Sequence, residues 1–112
     1  MSFTTSIFLL FIAAVLEAGG DALMRSGLHA STPMKPGWFL AAALTLFGYG
    51  YLVNSPPWDF GKLLGVYVVF FFLVAQAISW ITSGSKPSSA ILIGGAFIVV
   101  GGAIISYSTI SN

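Results

Sequence analysis

The chain has 112 residues, of which 57% are hydrophobic and only 6% are charged. About a quarter of the residues in a soluble domain of this length are charged, and its exterior is polar. The composition therefore excludes a soluble domain and indicates a membrane protein with a lipid-facing apolar surface. The net charge of +1, without a basic cluster, excludes nucleic acid as a partner. With no cysteine and a single histidine, His29, we expect no disulfide, no metal site and no cofactor.

Four apolar segments follow one another along the chain, at residues 4–25, 37–53, 61–81 and 88–108. All five prolines lie in the polar stretches between them, where proline is best tolerated. Each segment is near the ~20 residues that a helix needs to cross a hydrocarbon core of ~30 Å. We therefore predict an all-α integral membrane protein with four transmembrane helices, in a single domain that covers residues 1–112.

Basic residues indicate the orientation, because they gather on the cytoplasmic side of a membrane. Arg25, Lys35 and Lys86 belong to the first and third connections, which share one side, while Lys62 belongs to the second connection on the other side. This distribution favours a cytoplasmic location for the first and third connections. The difference is small, so insertion in both orientations stays open.

The first segment contains an acidic residue, Glu17, seven residues before its predicted end at Met24. At 1.5 Å per residue, this position is about 10 Å inside the segment. A charged side chain near the centre of a span costs on the order of 3 kcal/mol, so an intramembrane acid indicates a proton or substrate site. The alternative is a protonated Glu17 that hydrogen-bonds across a helix interface.

Asp21 lies four residues after Glu17, on the same helical face, and Arg25 follows one turn later. One interpretation is a second acid in the same aqueous pocket, and the other is an ion pair between Asp21 and Arg25 near the interface. Burial and a neighbouring carboxylate both favour the protonated form of Glu17. A carboxylate that titrates near neutral pH can exchange a proton for a cation.

Aromatic residues of the second and third segments are candidates for the same pocket, because ring faces attract cations. Tyr49 and Tyr67 fit this role best by their positions inside the segments. Tyr51, Trp58 and Trp80 lie near predicted span ends, where an interfacial aromatic belt is the simpler explanation.

The fourth segment contains no ionisable side chain before Tyr107, and it is rich in glycine. Gly94 and Gly101 are seven residues apart, as are Gly95 and Gly102, so each pair lies on one face two turns apart. Small residues at this spacing let a neighbouring helix approach closely. The spacing predicts an association helix, whose neighbour is either a second copy or another segment of the chain.

The pattern E-x-x-G-x-x-L-M-R, which here is formed by Glu17, Gly20, Leu23, Met24 and Arg25, resembles the small multidrug resistance family of the drug/metabolite transporter superfamily. The chain length, the four segments and the glycine-rich last segment are also similar to that family. The resemblance implies an antiparallel homodimer in a bacterial inner membrane. It also implies that Glu17 binds either protons or a cationic substrate, and that the fourth segment forms the dimer contact.

The sequence and the resemblance together favour a proton-coupled exporter of small cationic or lipophilic compounds, which works by alternating access as a homodimer in the lipid bilayer. The predicted substrate and proton site consists of Glu17, Asp21, Tyr49 and Tyr67, and the predicted dimer contact consists of Gly94, Gly95, Gly101 and Gly102. Two alternatives stay open: a non-transporting membrane scaffold subunit and a component of a flippase for lipid-linked substrates. No nucleophile and base at suitable positions indicate an enzyme.

Overall fold

A computed structural model describes residues 1–111, with side chains to residue 108. Over this range the chain forms four α-helices, and a short 3-10 helix at Thr32–Met34 precedes the second of them. Each α-helix is long and apolar enough to cross a membrane, so the predicted all-α fold with four spans is confirmed. The helices are α1 (Phe3–Leu28), α2 (Lys35–Val53), α3 (Phe60–Ser83) and α4 (Ser89–Ser111).

The helix ends differ from the predicted ends by a few residues, for local reasons. α1 continues beyond Arg25 because a cation in the last turn is favourable next to the free carbonyl groups of a helix end. α2 begins before Pro36 because proline is tolerated in a first turn, where its missing N–H has no helical partner to lose. α3 ends at Ser83, and the next residue, Gly84, has a φ of 68°, a left-handed conformation that glycine adopts without strain. The Gly84 N–H donates to the Trp80 carbonyl at 2.9 Å.

The helices lie in the spatial order α2, α1, α3, α4. α1 packs against both α2 and α3, whereas α4 packs mainly against α3. Within an apolar stretch of 18 residues in α1, 28% of the stretch is buried. The corresponding share is 11% in α2 and 11% in α4. The chain is flat, with dimensions of 52 × 34 × 19 Å. Most of the apolar surface of the two outer helices therefore faces outward, toward lipid or a further chain.

The hydrophobic core occupies the half of the bundle next to the connection between α2 and α3. At the same end the Phe3 ring stacks on the Trp58 ring, with centroids 5.7 Å apart, and holds the start of α1 against that connection. The opposite half is less closely packed, and a groove separates α1 from α3 there. The core residues come from α1, α2 and α3, and they are Leu10, Ala13, Ala14, Val53, Leu63, Val66 and Tyr67.

Glycines permit the close approach of helices within the chain. A Cβ atom on Gly20 would lie 2.6 Å from the Leu46 side chain of α2, and one on Gly95 would lie 2.6 Å from the Phe72 ring of α3. A Cβ atom on Gly102 would overlap the side chain of Val69. The α1–α2 and α3–α4 contacts at these positions thus depend on the missing side chain.

The four glycines of α4 therefore divide into two pairs. Gly95 and Gly102 face α3 of the same chain, whereas a Cβ atom on Gly94 or Gly101 would meet none of the residues that the structure describes within 4 Å. Gly94 and Gly101 are the pair that stays open to a neighbouring chain. The dimer contact stays a prediction, and within this chain only the second pair already has a helix against it.

We expect Gly102→Ala to lower the free energy of unfolding by about 1 to 3 kcal/mol, because the new methyl group forces the stiff Val69 side chain or α4 itself to move. Gly50→Ala is the matched control, because it makes the same change inside α2, where the new Cβ atom would meet none of the described residues within 4 Å. Unfolding in mixed micelles, followed by circular dichroism, measures both variants. Equal stability of the two would contradict the close packing of α4 on α3 at Gly102.

Candidate functional site

Glu17 lies near the middle of α1, eleven residues before the helix ends at Leu28. Because the helix is longer than predicted, this position is about 16 Å from the end at 1.5 Å per residue. The Tyr67 hydroxyl of α3 donates a hydrogen bond of 2.7 Å to Glu17 Oε1. This bond joins residues that are 50 positions apart in the sequence, and it connects the two inner helices across the bundle.

The Tyr67 side chain is held firmly in place, since only 5% of its surface is exposed. Its ring lies between two others: the Tyr49 ring of α2, at a centroid distance of 5.8 Å, and the Phe71 ring one turn further along α3, at 6.3 Å. Such tilted ring pairs are favourable beyond their buried area. The packing fixes the direction in which the hydroxyl group of Tyr67 points.

A groove of about 550 Å³ runs between α1 and α3, on the side of Glu17 that is remote from the core. Ala18, Asp21, Ala22 and Arg25 form its α1 wall. The α3 wall begins at Phe71 and continues to the polar end of the helix. Glu17 lies one turn deeper than Asp21 and, like Tyr67, does not line the groove itself. Two lining residues adjoin this pair: Ala18 follows Glu17 in the sequence, and the Phe71 ring packs against the Tyr67 ring.

Asp21 and Arg25 are both exposed and both line this groove. Among the described residues, no ion pair within 4.0 Å joins their side chains. The two acids of α1 therefore have different surroundings. Glu17 is half-buried and bonded to tyrosine, whereas the Asp21 carboxylate is open to the groove.

Glu17 Oε1 accepts the Tyr67 hydrogen bond, so the site combines one carboxyl group with a donor whose ring is held by aromatic packing. Within residues 1–111, no three His, Cys, Asp or Glu side chains come together in a way that could hold a metal ion.

The structure brings Glu17, Tyr67 and Tyr49 together, and it places Asp21 in the adjoining groove. The α3 wall of that groove is not among the residues predicted from the sequence. Its members follow Tyr67 at helical spacing, so a search for a stripe along α3 could have found them. They are Phe71, Ala75, Ile78, Ser79, Thr82 and Ser83.

Four apolar helices, one of which carries a carboxyl group near its middle, define a small four-span integral membrane protein. Residues 3–111 match the profile of the family described as "Uncharacterised BCR, YnfA/UPF0060 family". The chain therefore belongs to the YnfA/UPF0060 family, which is related to the small multidrug resistance and drug/metabolite transporter group. The match places the chain in this related family and does not extend to small multidrug resistance membership itself.

Bacterial relatives agree with this assignment. The chain is 30% identical to a UPF0060 membrane protein of Mycobacterium marinum, over 92% of this chain and 93% of that protein. It is 31% identical to a UPF0060 membrane protein of Frankia casuarinae, over 96% of this chain and 97% of that protein. It is 28% identical to a UPF0060 membrane protein of Nocardia farcinica, over 96% of this chain and 96% of that protein. These relatives and the four spans support the predicted location in a bacterial inner membrane. No solved structure matches the chain.

Tyr67→Phe removes the hydrogen-bond donor and keeps the ring. We expect it to lower the free energy of unfolding by about 1 to 3 kcal/mol, because the partly buried Glu17 Oε1 loses its hydrogen-bond donor. Tyr49→Phe is the control, since it makes the same change on the neighbouring ring. Unfolding in mixed micelles is the measurement. Equal stability of the two variants would contradict a stabilising hydrogen bond between Tyr67 and Glu17.

Proposed function

We propose that this protein is a proton-coupled exporter of small cationic or lipophilic compounds. The observation that carries the proposal is the position of Glu17: a carboxylate in the middle of a span, hydrogen-bonded to Tyr67 and next to a groove that leads to the end of the bundle. Intramembrane acids are costly and mark proton and substrate pathways. A purely structural acid would not need the adjoining groove.

The mechanism is an exchange at one site. A cation binds when Glu17 is ionised, with the Tyr67 hydroxyl stabilising the negative charge on Oε1. Protonation of the same carboxylate removes the charge that holds the cation and releases it. Proton and substrate therefore compete, and transport of one is coupled to opposite transport of the other.

The unequal packing of the bundle supports alternating access. The core closes the end next to the α2–α3 connection, while the groove opens toward the end where α1 and α3 finish. Arg25, Lys35 and Lys86 lie at or near that open end, which the positive-inside rule makes the cytoplasmic side. In this arrangement a substrate enters from the cytoplasm, and rocking of the helices about Glu17 exposes the site to the other side.

A second copy of the chain completes the pathway in this proposal. A single flat layer that is 19 Å thick leaves α2 and α4 largely exposed and cannot surround a ligand on all sides. The open Gly94 and Gly101 face of α4 is the surface on which a second copy can pack closely.

One observation favours a different role. The exposed Asp21 carboxylate, without an ion pair in the described part of the chain, suits a scaffold subunit that docks a basic residue of a partner membrane protein. This reading gives no function to the bond between Tyr67 and Glu17. Copurification of a second polypeptide would favour it over the exporter.

Glu17→Gln is the decisive variant, because it removes the titrating group and keeps the side-chain shape. We expect purified protein in liposomes to move protons when a cationic substrate is added, and Glu17→Gln to reduce this exchange at least a hundredfold. Asp59→Asn is the matched control: it removes an exposed acid outside the spans, and its side chain makes no cap hydrogen bond at the start of α3.

Substrates for this assay include guanidinium, quaternary ammonium and polyamine cations, and a pH-sensitive dye inside the liposomes gives the readout. Circular dichroism first establishes that all variants are folded. Proton-driven transport by Glu17→Gln at the rate of the unmodified protein would refute the proposal. Silence of the unmodified, folded protein over the whole panel would favour the scaffold or lipid-flippase reading.

A further inference from the structure

The Ser6 hydroxyl of α1 is buried without a hydrogen-bond partner. The residue is 0% exposed, and its hydroxyl is the one buried side-chain group among the described residues that lacks a partner. The hydroxyls of Thr45, Thr82 and Ser83, by contrast, each donate to the carbonyl four residues earlier in their helix, at 2.6 to 2.8 Å. A buried polar group without a partner is destabilising. The Ser6 hydroxyl therefore favours an arrangement in which it meets water or another polar group.

Ser6 lies between an aromatic stack and the hydrophobic core. Phe3 and Leu10 lie one turn before and one turn after it, on the same face of α1. The Phe3 ring stacks on the Trp58 ring of the α2–α3 connection, with centroids 5.7 Å apart and ring planes at 21°. Leu10 belongs to the core, and Trp58 packs against that core. Pro56 of the same connection is buried, so the connection folds inward and closes this end of the bundle.

The face of α1 that carries Ser6 leads to Glu17. The two residues are eleven positions apart, which is about three helical turns and about 17 Å along the axis, so both side chains lie on one stripe of the helix. Leu10 and Ala13 lie between them on this stripe, and both are 0% exposed. Asp21 continues the stripe on the other side of Glu17, in the open groove. The stripe thus has an acid toward the open end, a hydroxyl toward the closed end, and Glu17 between them.

We propose that the closed end is the exit gate of the exporter, that the stack of Phe3 on Trp58 is the latch of this gate, and that Ser6 lines the exit path. Alternating access from Glu17 requires the closed end to open. The Ser6 hydroxyl then gains water, which offsets part of the cost of separating the two rings and exposing apolar core. The proposal rests on the proposed function and assigns three further residues to its transport pathway.

Cysteine labelling tests the latch, because the chain contains no cysteine of its own. Ser6→Cys exchanges one small side chain for another and introduces a single thiol. In lipid nanodiscs, which leave both membrane faces accessible, an anionic methanethiosulfonate reagent that does not enter the bilayer measures the exposure of this thiol to water. We expect Trp58→Ala to raise the labelling rate about tenfold, since a ring pair changes an equilibrium by up to about that factor. Trp58→Phe keeps a ring for the stack, and we expect it to preserve slow labelling.

Ala42→Cys is the matched control for general loosening of the fold. Ala42 is as completely buried as Ser6 but lies on α2, away from the stripe. We expect its labelling to stay slow when Trp58→Ala is added. A labelling rate of Ser6→Cys that does not respond to Trp58→Ala would overturn the latch, and so would an equal rise in Ala42→Cys.

Ser6→Ala separates a role in the exit path from a merely structural role. It removes the unpartnered hydroxyl, so we expect the melting temperature in nanodiscs to rise. We also expect Glu17-dependent proton exchange in liposomes to become about fivefold slower, because the open state loses a hydrogen bond to water. Thr45→Val is the control, since it removes a hydroxyl on α2 outside both the stripe and the groove, and it should leave exchange unchanged. Unchanged or faster exchange in Ser6→Ala would overturn the role of Ser6.

Failure of the gate and failure of the exporter have different signatures. Exchange that requires Glu17, together with labelling that ignores Trp58→Ala and exchange that ignores Ser6→Ala, would overturn the gate and leave the exporter standing. Labelling of Ser6→Cys that depends on Trp58, in a protein that exchanges no cation for protons, would support the latch and remove only the proposed function.

Discussion

A carboxylate inside the hydrocarbon layer constrains everything packed around it, because it has to be hydrogen-bonded or neutralised at that depth. In this chain the Tyr67 hydroxyl meets that requirement for Glu17. The bond requires α1 and α3 to be neighbours, and small residues on α1, such as Ala14 and Ala18, leave room for that approach. The rings of Tyr49 and Phe71 then hold the tyrosine in place. The packing of α1, α2 and α3 thus also provides the hydrogen bond that the acid requires.

The arrangement of helices follows from this constraint. α1 has neighbours on both sides, whereas α4 has one main neighbour, α3, which it contacts through Gly95 and Gly102. The helix that carries Glu17 is therefore the least exposed, and the helix without an acid is at the edge. A row of helices of this kind has two large faces, so the site lies near the surface of the single chain and is within reach of a second copy.

Hydropathy and proline positions predicted the four helices, because spanning segments are set by local composition and length. Glu17 was also identifiable, since an acid stands out in an apolar run. The partner of Glu17 was not, because a bond between residues 17 and 67 depends on how two distant helices pack. For the same reason, spacing placed Asp21 with Glu17, although packing gives the two acids different surroundings. Glycine spacing identified both pairs on α4 but not which pair faces α3.

The connections between the helices are short: residues 29–34, 54–59 and 84–88, so five or six residues each. A stable complex between two soluble proteins uses about 20 to 30 residues on each side. These three connections together offer fewer residues than that, and they are divided between the two faces of the membrane. A water-soluble regulator or an antibody therefore finds very little surface to recognise on these connections.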